Sequence, residues 1–511
     1  NIGSEHLIGL AGAGASSGMA MAHWEIQGWM ILILGWVFVP FYSRSMVYTM
    51  PEFLERRYNP QSRTILSVIS LVSYVLTKVA VTVYAGGLVF QQVFGIKELW
   101  GIDFFWIAAI GLVVLTALYT IFGGMKSVLY TSVLQTPILL LGSLIILVLG
   151  FKELGGWDEM MRVCGAVTVN DYGDTMTNLI RSNDDANFPW LGALIGSAII
   201  GFWYWCTDQF IVQRVLSGKN EKEARRGTIF GAYLKLLPVF LFLIPGMIAF
   251  ALHQKYIGAG GEGFLPMLAN GTANADAAFP TLVAKLLPAG VKGLVVCGIL
   301  AALMSSLASL FNSSAMLFTI DFYKRFRPET PEKKLVGIGQ IATVVIVILG
   351  ILWIPIMRSV GDVLYTYLQD VQSVLAPGIA AAFLLGICWK RTSAQGGMWG
   401  LIAGMIIGLT RLGAKVYYSN AGEVADSTFK YLFYDMNWLF FCGWMFLFCI
   451  IVVIVVSLAT EAPTAEKIQG LVFGTATKEQ KAATRASWDH WDIIHTVIIL
   501  AITGAFYWYF W

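Results

Sequence analysis

Apolar residues run along this chain in blocks of about twenty or more, the length a helix needs to cross a bilayer, and the charge is confined mostly to the polar stretches between them. Thirteen blocks of spanning length, or its first half, are legible: 1–18, 23–43, 63–95, 102–122, 127–151, 187–209, 225–252, 281–322, 336–358, 363–388, 396–418, 435–459 and 490–511. Some exceed what a bilayer requires, which implies tilt, a break or an added surface helix. Pro288-Ala-Gly inside 281–322 predicts a short helix before the true span.

The connecting stretches give an orientation. Arg44, Arg56, Arg57 and Arg63, then Arg214, Lys219, Lys222, Arg225 and Arg226, then Lys324, Arg325, Arg327, Lys333 and Lys334, then Lys390 and Arg391 all fall on one side if the spans alternate. The stretch 152–186, on the other side, is acidic. Excess Lys and Arg marks the cytoplasmic face, so the first block runs outward and the C-terminus is expected outside. A polar linker, 460–488, precedes the last span.

Composition agrees with the pattern. Of 511 residues 57% are hydrophobic and 13% charged, which excludes a soluble globular protein. A net charge of +3 gives no reason to expect nucleic acid, and nothing indicates an obligate protein partner. The cysteines show neither paired nor metal-like spacing, and no nucleotide loop, metal cluster or hydrolase elbow competes for the function.

The chemistry lies in polar residues inside the apolar blocks. Glu25, Lys78, Lys235, Gln369 and Asp370 all sit within spans, where a charge at the helix centre costs about 2.5–3.5 kcal/mol on the mildest scale. Each alone is explained by a hydrogen bond between helices; as a set they predict a water-filled cavity. Two blocks are interrupted. The Gly-rich opening Asn1-Ile-Gly-Ser-Glu-His6 and the stretch Gly201-Phe-Trp-Tyr-Trp-Cys-Thr-Asp-Gln209 stand five spans apart. Paired broken helices separated by half a bundle point to an inverted-repeat transporter. Carboxylate, amide, imidazole, ammonium and phenol together suit a neutral polyhydroxylated ligand, and Trp203, Tyr204 and Trp205 offer flat faces, although such clusters also serve as packing. Ala302, Ser305, Ser306 and Ser309 share one helix face. That face is either a small-residue packing seam or, with carbonyls freed by a broken helix, an all-oxygen site for Na+.

These motifs are specific in combination. The chain resembles the sodium/glucose cotransporter branch of the sodium:solute symporters in Asn1-Ile-Gly-Ser4 with His6, in Tyr119-Thr-Ile-Phe-Gly-Gly-Met-Lys-Ser127, in Trp203-Tyr-Trp-Cys-Thr-Asp-Gln209 with Ile211-Val-Gln-Arg214, and in Met304-Ser-Ser-Leu-Ala-Ser309 with Phe311-Asn-Ser313. The resemblance covers essentially the whole length. It implies an all-α polytopic membrane protein with a leucine-transporter-type five-plus-five inverted repeat and fourteen spans. An N-terminal helix and the inner half of the first core helix are then expected to lie upstream of Asn1. The implied division is 1–151 and 187–388 for the two repeats, 396–459 for two added helices, 460–489 for a cytoplasmic linker and 490–511 for a last span.

The resemblance further implies sugar contacts at Asn1, His6, Glu25, Tyr204, Trp205, Lys235 and Gln369. It makes Tyr204 an inner gate and Trp24 and Tyr365 outer lids, and assigns a sodium site to the carbonyls of Ile2 and Ala302 with the hydroxyls of Ser305 and Ser306. A further backbone ligand would precede Asn1. Two-sodium members carry an aspartate where this chain has Ser132 and a hydroxyl where it has Ala308, so one Na+ per sugar is expected. Thr366 stands where relatives often have an acidic group. The expectation is therefore a Na+-driven symporter of a neutral hexose, glucose or galactose, multi-pass in the plasma or inner membrane, with the bilayer, Na+ and a small sugar as its partners. The alternatives are myo-inositol or another polyol, an anion such as a sialic acid, or a sugar-gated channel or sensor. A membrane enzyme is weakest, since no nucleophile–base pair emerges.

Overall fold

The computed structural model describes residues 3, 5–45, 47, 49–268, 271–360, 364–420 and 425–511, without the side chains of 119, 121–129, 131–132, 134–135 and 356–360. Among them eleven helices are long and apolar enough to cross a membrane. Helix is the natural answer to the sequence pattern, because a segment in lipid has no water to satisfy its backbone and must pair every N–H internally. The predicted interruption at Pro288 is present: a short helix Ala278–Leu286 ends before the span Ala289–Met316 begins.

One expected boundary is absent. The blocks 102–122 and 127–151 form one helical stretch, Phe104–Leu154, which passes Gly123-Gly124 without a break. Helical backbone keeps its donors satisfied through the two glycines, and that outweighs their weak helix preference of about 1 kcal/mol each.

Glycines set the closest crossing. The helix Ala11–Ser17 lies against the helix Ile244–Gly258 so tightly that a Cβ on Gly14 would sit 2.2 Å from the Leu243 carbonyl oxygen, and one on Gly246 would sit 2.0 Å from that of Ala11. Small residues allow such backbone approach in membrane bundles. Gly18 then ends the first helix with φ of +67°, and the Met19 N–H donates to the Met176 carbonyl at 2.8 Å. The chain thereby turns into the helix Ala22–Glu25.

The flanking helices are knitted to this bundle. Gly378 of the helix Leu364–Cys388 meets Gly404 of the helix Ala394–Asn420 at backbone distance. The last helix, His490–Tyr509, is tied back by Tyr507 Oη to His23 Nδ1 at 2.9 Å and by Trp36 Nε1 to Thr496 Oγ1 at 3.0 Å. The polar linker carries only two short helices, Ala465–Ile468 and Lys478–Ala486.

Several spans contain a π-helical turn. Those at Glu5–Leu10, Tyr74–Val79 and Phe202–Thr207 converge on the same interior space. A π turn widens the helix by one residue and rotates the following side chains, and such turns are frequent at functional sites.

Candidate functional site

A central cavity is lined by His6, Trp24, Lys78, Tyr204, Trp205, Lys235, Ser306, Tyr365 and Gln369 among others. The π turns explain how so many polar and aromatic groups reach it: the first carries His6, the second Lys78, and the third Tyr204 and Trp205. The structure thus brings His6, Tyr204, Trp205, Lys235 and Gln369, predicted from sequence, around one cavity together with Trp24 and Tyr365. Asn1 and Ile2 lie outside the described residues.

Glu25 is fully buried just behind this wall, and both its oxygens are engaged. Lys235 Nζ donates to Oε2 at 2.6 Å, with His6 Nε2 at 3.3 Å from the same atom, while the Tyr365 hydroxyl donates to Oε1 at 2.5 Å. Lys235 also stands over the Trp205 ring, 5.5 Å from its centre. One carboxylate therefore gathers three cavity residues from three helices. Sequence reasoning found the members but not their mutual pairing.

Besides His6 Nε2, whose contact with Glu25 is long at 3.3 Å, two cavity groups remain open. Gln369 Oε1 and Trp24 Nε1 are buried and without a hydrogen-bond partner among the described residues. Such groups cost free energy unless a ligand or water satisfies them, so they mark where a polar ligand would bind. Trp24 stacks on Trp438 at 5.4 Å and 23° and meets the edge of Phe188 at 6.1 Å. Trp24 thus packs on the flanking helix Trp438–Ala459, a contact the sequence did not indicate.

Asp208 sits in extended backbone (φ −77°, ψ 127°) between the π turn Phe202–Thr207 and the helix Gln209–Leu216, whose N-terminus it caps. This is the predicted break at 201–209. Lys78 pairs with Asp208 Oδ2, the Tyr74 hydroxyl donates to Oδ1 at 2.8 Å, and the Phe210 N–H donates to the same oxygen at 3.1 Å. The Lys78 ammonium lies 5.0 Å from the centre of the Tyr204 ring. Lys78 was legible only as an unplaced charge, and Asp208 only as part of a polar run; a capping residue directly after an aromatic, apolar stretch was the available signal.

Ala302, Ser305 and Ser306 occur together at the border of a second cavity that adjoins the first, and Ser306 lines both. The hydroxyls and main-chain oxygens here are hard ligands of the kind an alkali cation takes. The start of the first helix reaches this face, since a Cβ on Gly3 would lie 2.5 Å from Ser306 Oγ.

Comparison with known proteins matches this arrangement to one family. The profile of the Sodium:solute symporter family covers residues 1–404. The human Sodium/myo-inositol cotransporter 2 is 36% identical over 488 residues, 93% of this chain and 71% of its own length. The sheep Sodium/glucose cotransporter 1 is 38% identical over 90% of this chain and 71% of its own. The chain belongs to the sodium:solute symporter family. A substrate-bound, outward-open Na+-coupled sialic acid symporter shares the fold, with a TM-score of 0.68 at 20% identity over 91% of this chain and 88% of that one. The fold class expected from the sequence is the one found, and the chain is a multi-pass integral membrane protein of a Na+-coupled transporter family, with Na+ as the co-transported ion.

For a symporter, the surroundings of Ser309 bear on ion number. Ser309 Oγ donates to the Ser305 carbonyl at 2.9 Å and accepts from Arg214 Nη2. Ala308 beside it is buried and offers no oxygen from its side chain. The side chain of Ser132 is outside those described.

Proposed function

We propose that this symporter carries a neutral hexose, glucose or galactose, inward with one Na+ by alternating access in the plasma or inner membrane, with its C-terminus outside. The observation that carries the reading is the character of the central cavity. An open acceptor (Gln369 Oε1), an open donor (Trp24 Nε1), the Glu25–Lys235 pair and the flat Trp205 ring together match a ring molecule with hydroxyls around its edge. In this reading Asn1, His6, Glu25, Tyr204, Trp205, Lys235 and Gln369 hold the sugar. Trp24 and Tyr365 close over it from outside, and Tyr204, steadied by Lys78, is the inner gate. Ile2, Ala302, Ser305 and Ser306 hold Na+. The two repeats are 1–151 and 187–388, followed by helices in 396–459, the linker 460–489 and the last span 490–511.

One Na+ per sugar is supported by the guanidinium of Arg214 against Ser309. A fixed positive charge there repels a second cation where no aspartate stands to offset it.

Myo-inositol is the second reading, favoured by the 36% identity to the human Sodium/myo-inositol cotransporter 2. The two are separated by uptake of labelled glucose, galactose and myo-inositol into proteoliposomes under an inward Na+ gradient. Saturable uptake of the hexoses, with myo-inositol competing poorly, is expected. Preference for myo-inositol would replace the hexose assignment.

A further inference from the structure

Asp370 is conspicuous in the sequence, yet the reading above gives it no role. The helix Leu364–Cys388 turns Tyr365, Leu368, Gln369 and Gln372 to the central cavity, the i, i+3, i+4, i+7 stripe of one helix face. Asp370 lies beside that stripe, in a row with Val374 and Gly378 at four-residue spacing. This second row meets the helix Ala394–Asn420. A Cβ on Gly408 would sit 2.1 Å from the Val374 carbonyl oxygen, and one on Gly404 would sit 2.6 Å from Gly378 Cα. At the end of the row Lys415 pairs with Asp370 Oδ2, the two side chains being 17% and 15% exposed. Asp370 Oδ1 has no partner among the described residues, so the Lys415 contact is what holds this side chain.

The other groups near the Asp370 charge are committed elsewhere. Arg411, one turn before Lys415, donates from Nη1 and Nη2 to the Leu432 and Met436 carbonyls at 3.2 and 2.7 Å and stands 4.0 Å from the centre of the Phe441 ring. The Tyr367 hydroxyl donates to the Leu76 carbonyl at 3.1 Å and accepts from Trp353 Nε1 at 2.7 Å. A glycine seam brings two backbones close but lacks the interlocking side chains that fix how one helix is rotated against another. The ion pair adds a fixed point at the end of that seam.

We propose that Asp370 and Lys415 are positioning residues for the sugar site: their ion pair sets the rotation of the helix Leu364–Cys388 against its flanking neighbour, and thereby the place of the adjacent Gln369 carboxamide in the cavity. This rests on the reading of Gln369 as a sugar contact. A rotation of about 10° moves a side-chain tip on a helix of about 5–6 Å radius by about 1 Å, enough to break a hydrogen bond.

The alternative is a pair that only stabilises the fold. Full-length wild type, Lys415→Met, Gln369→Ala and the two combined distinguish these in proteoliposomes, with uptake of labelled glucose, galactose and myo-inositol and with Na+-dependent thermal stability as readouts. Lys415→Met is expected to raise the KM of each transported compound about tenfold, the scale of one hydrogen bond to a buried ligand. Its kcat and Na+ half-saturation are expected to stay near wild type. Gln369→Ala is expected to add little in the Lys415→Met background, because residues acting through one contact are not additive. Lys415→Arg, which keeps the charge, is expected to stay close to wild type. An unmoved KM in Lys415→Met overturns the proposal, as does full additivity with Gln369→Ala, or a KM raised as far by Lys415→Arg as by Lys415→Met. If Lys415→Met fails to fold, Asp370→Asn takes its place in the same cycle: non-additivity supports the proposal and additivity overturns it. Gln369→Ala with a wild-type KM would instead sink the sugar contact itself, and the role of the pair with it.

Discussion

At the scale of single residues the cavity is a set of buried polar groups whose free energies depend on one another. Gln369 Oε1 has no hydrogen-bond partner among the described residues. Gln369→Ala is therefore expected to raise the sugar KM about tenfold, the scale of one hydrogen bond to a buried ligand, while the Na+-dependent gain in thermal stability stays as in wild type. An equal loss of both would place Gln369 in the scaffold instead. Glu25 behaves differently. Removing it strands Lys235, and breaking a buried pair costs about 3–5 kcal/mol, so its substitution is expected to damage folding and binding together. The sequence made His6, Glu25, Lys235 and Gln369 conspicuous because polar residues in apolar spans are expensive. It could not show that the Tyr365 hydroxyl, Lys235 and His6 converge on one carboxylate, since that depends on three helices meeting.

At the scale of elements, the break within 201–209 was legible and the π turns were not. The polar run Cys206-Thr-Asp-Gln209 at the end of an apolar block advertises an interruption in chemistry that a reader of sequence can see. A π turn needs no special residue, and its one-residue widening leaves the apolar pattern intact. The blocks 102–122 and 127–151 run on as one helix, Phe104–Leu154, because glycine interrupts a helix only where the backbone uses its freedom. Two predictions belong here. Gly246→Ala forces a methyl group onto the Ala11 carbonyl and is expected to lower the melting temperature sharply. Gly504→Ala, with nothing within 4 Å, is expected to be neutral; equal behaviour of the two would contradict the crossing. The second concerns Asp276, between spans, whose oxygens accept from the Leu364 N–H at 3.2 and 3.3 Å and so cap the helix carrying Tyr365 and Gln369. Burial pushes its carboxyl up to about 7 from 3.8, against the pull of that N–H. The folded state therefore holds the proton more tightly than the unfolded chain. The stability this confers is whole below about pH 4 and is lost as pH rises through about 7. Melting temperatures between pH 5 and 8 are expected to fall with pH in wild type and to flatten in Asp276→Asn. A slope unchanged in the variant would remove Asp276 as its source.

At the scale of the whole molecule, one cavity gathers distant parts of the chain: Trp24, packed on Phe188 and Trp438, Tyr204 beside the Lys78–Asp208 pair, and Ser306. The family, the class of fold and the ion were all within reach of the sequence. The contribution of the flanking helices was not, because His23–Tyr507 and Trp24–Trp438 join residues hundreds of positions apart. For a symporter moving one Na+ with a neutral sugar, one net charge crosses per cycle. The membrane potential then supplies about 2.3 kcal/mol per 100 mV, enough for accumulation of several tens-fold. The most direct test is simultaneous measurement of charge movement and labelled sugar uptake by the full-length protein in proteoliposomes under an imposed potential and Na+ gradient. One elementary charge per sugar, with accumulation abolished when Na+ is replaced by choline, is the predicted result. Current without stoichiometric sugar movement would make the protein a channel or sensor, and two charges per sugar would refute the single-ion site.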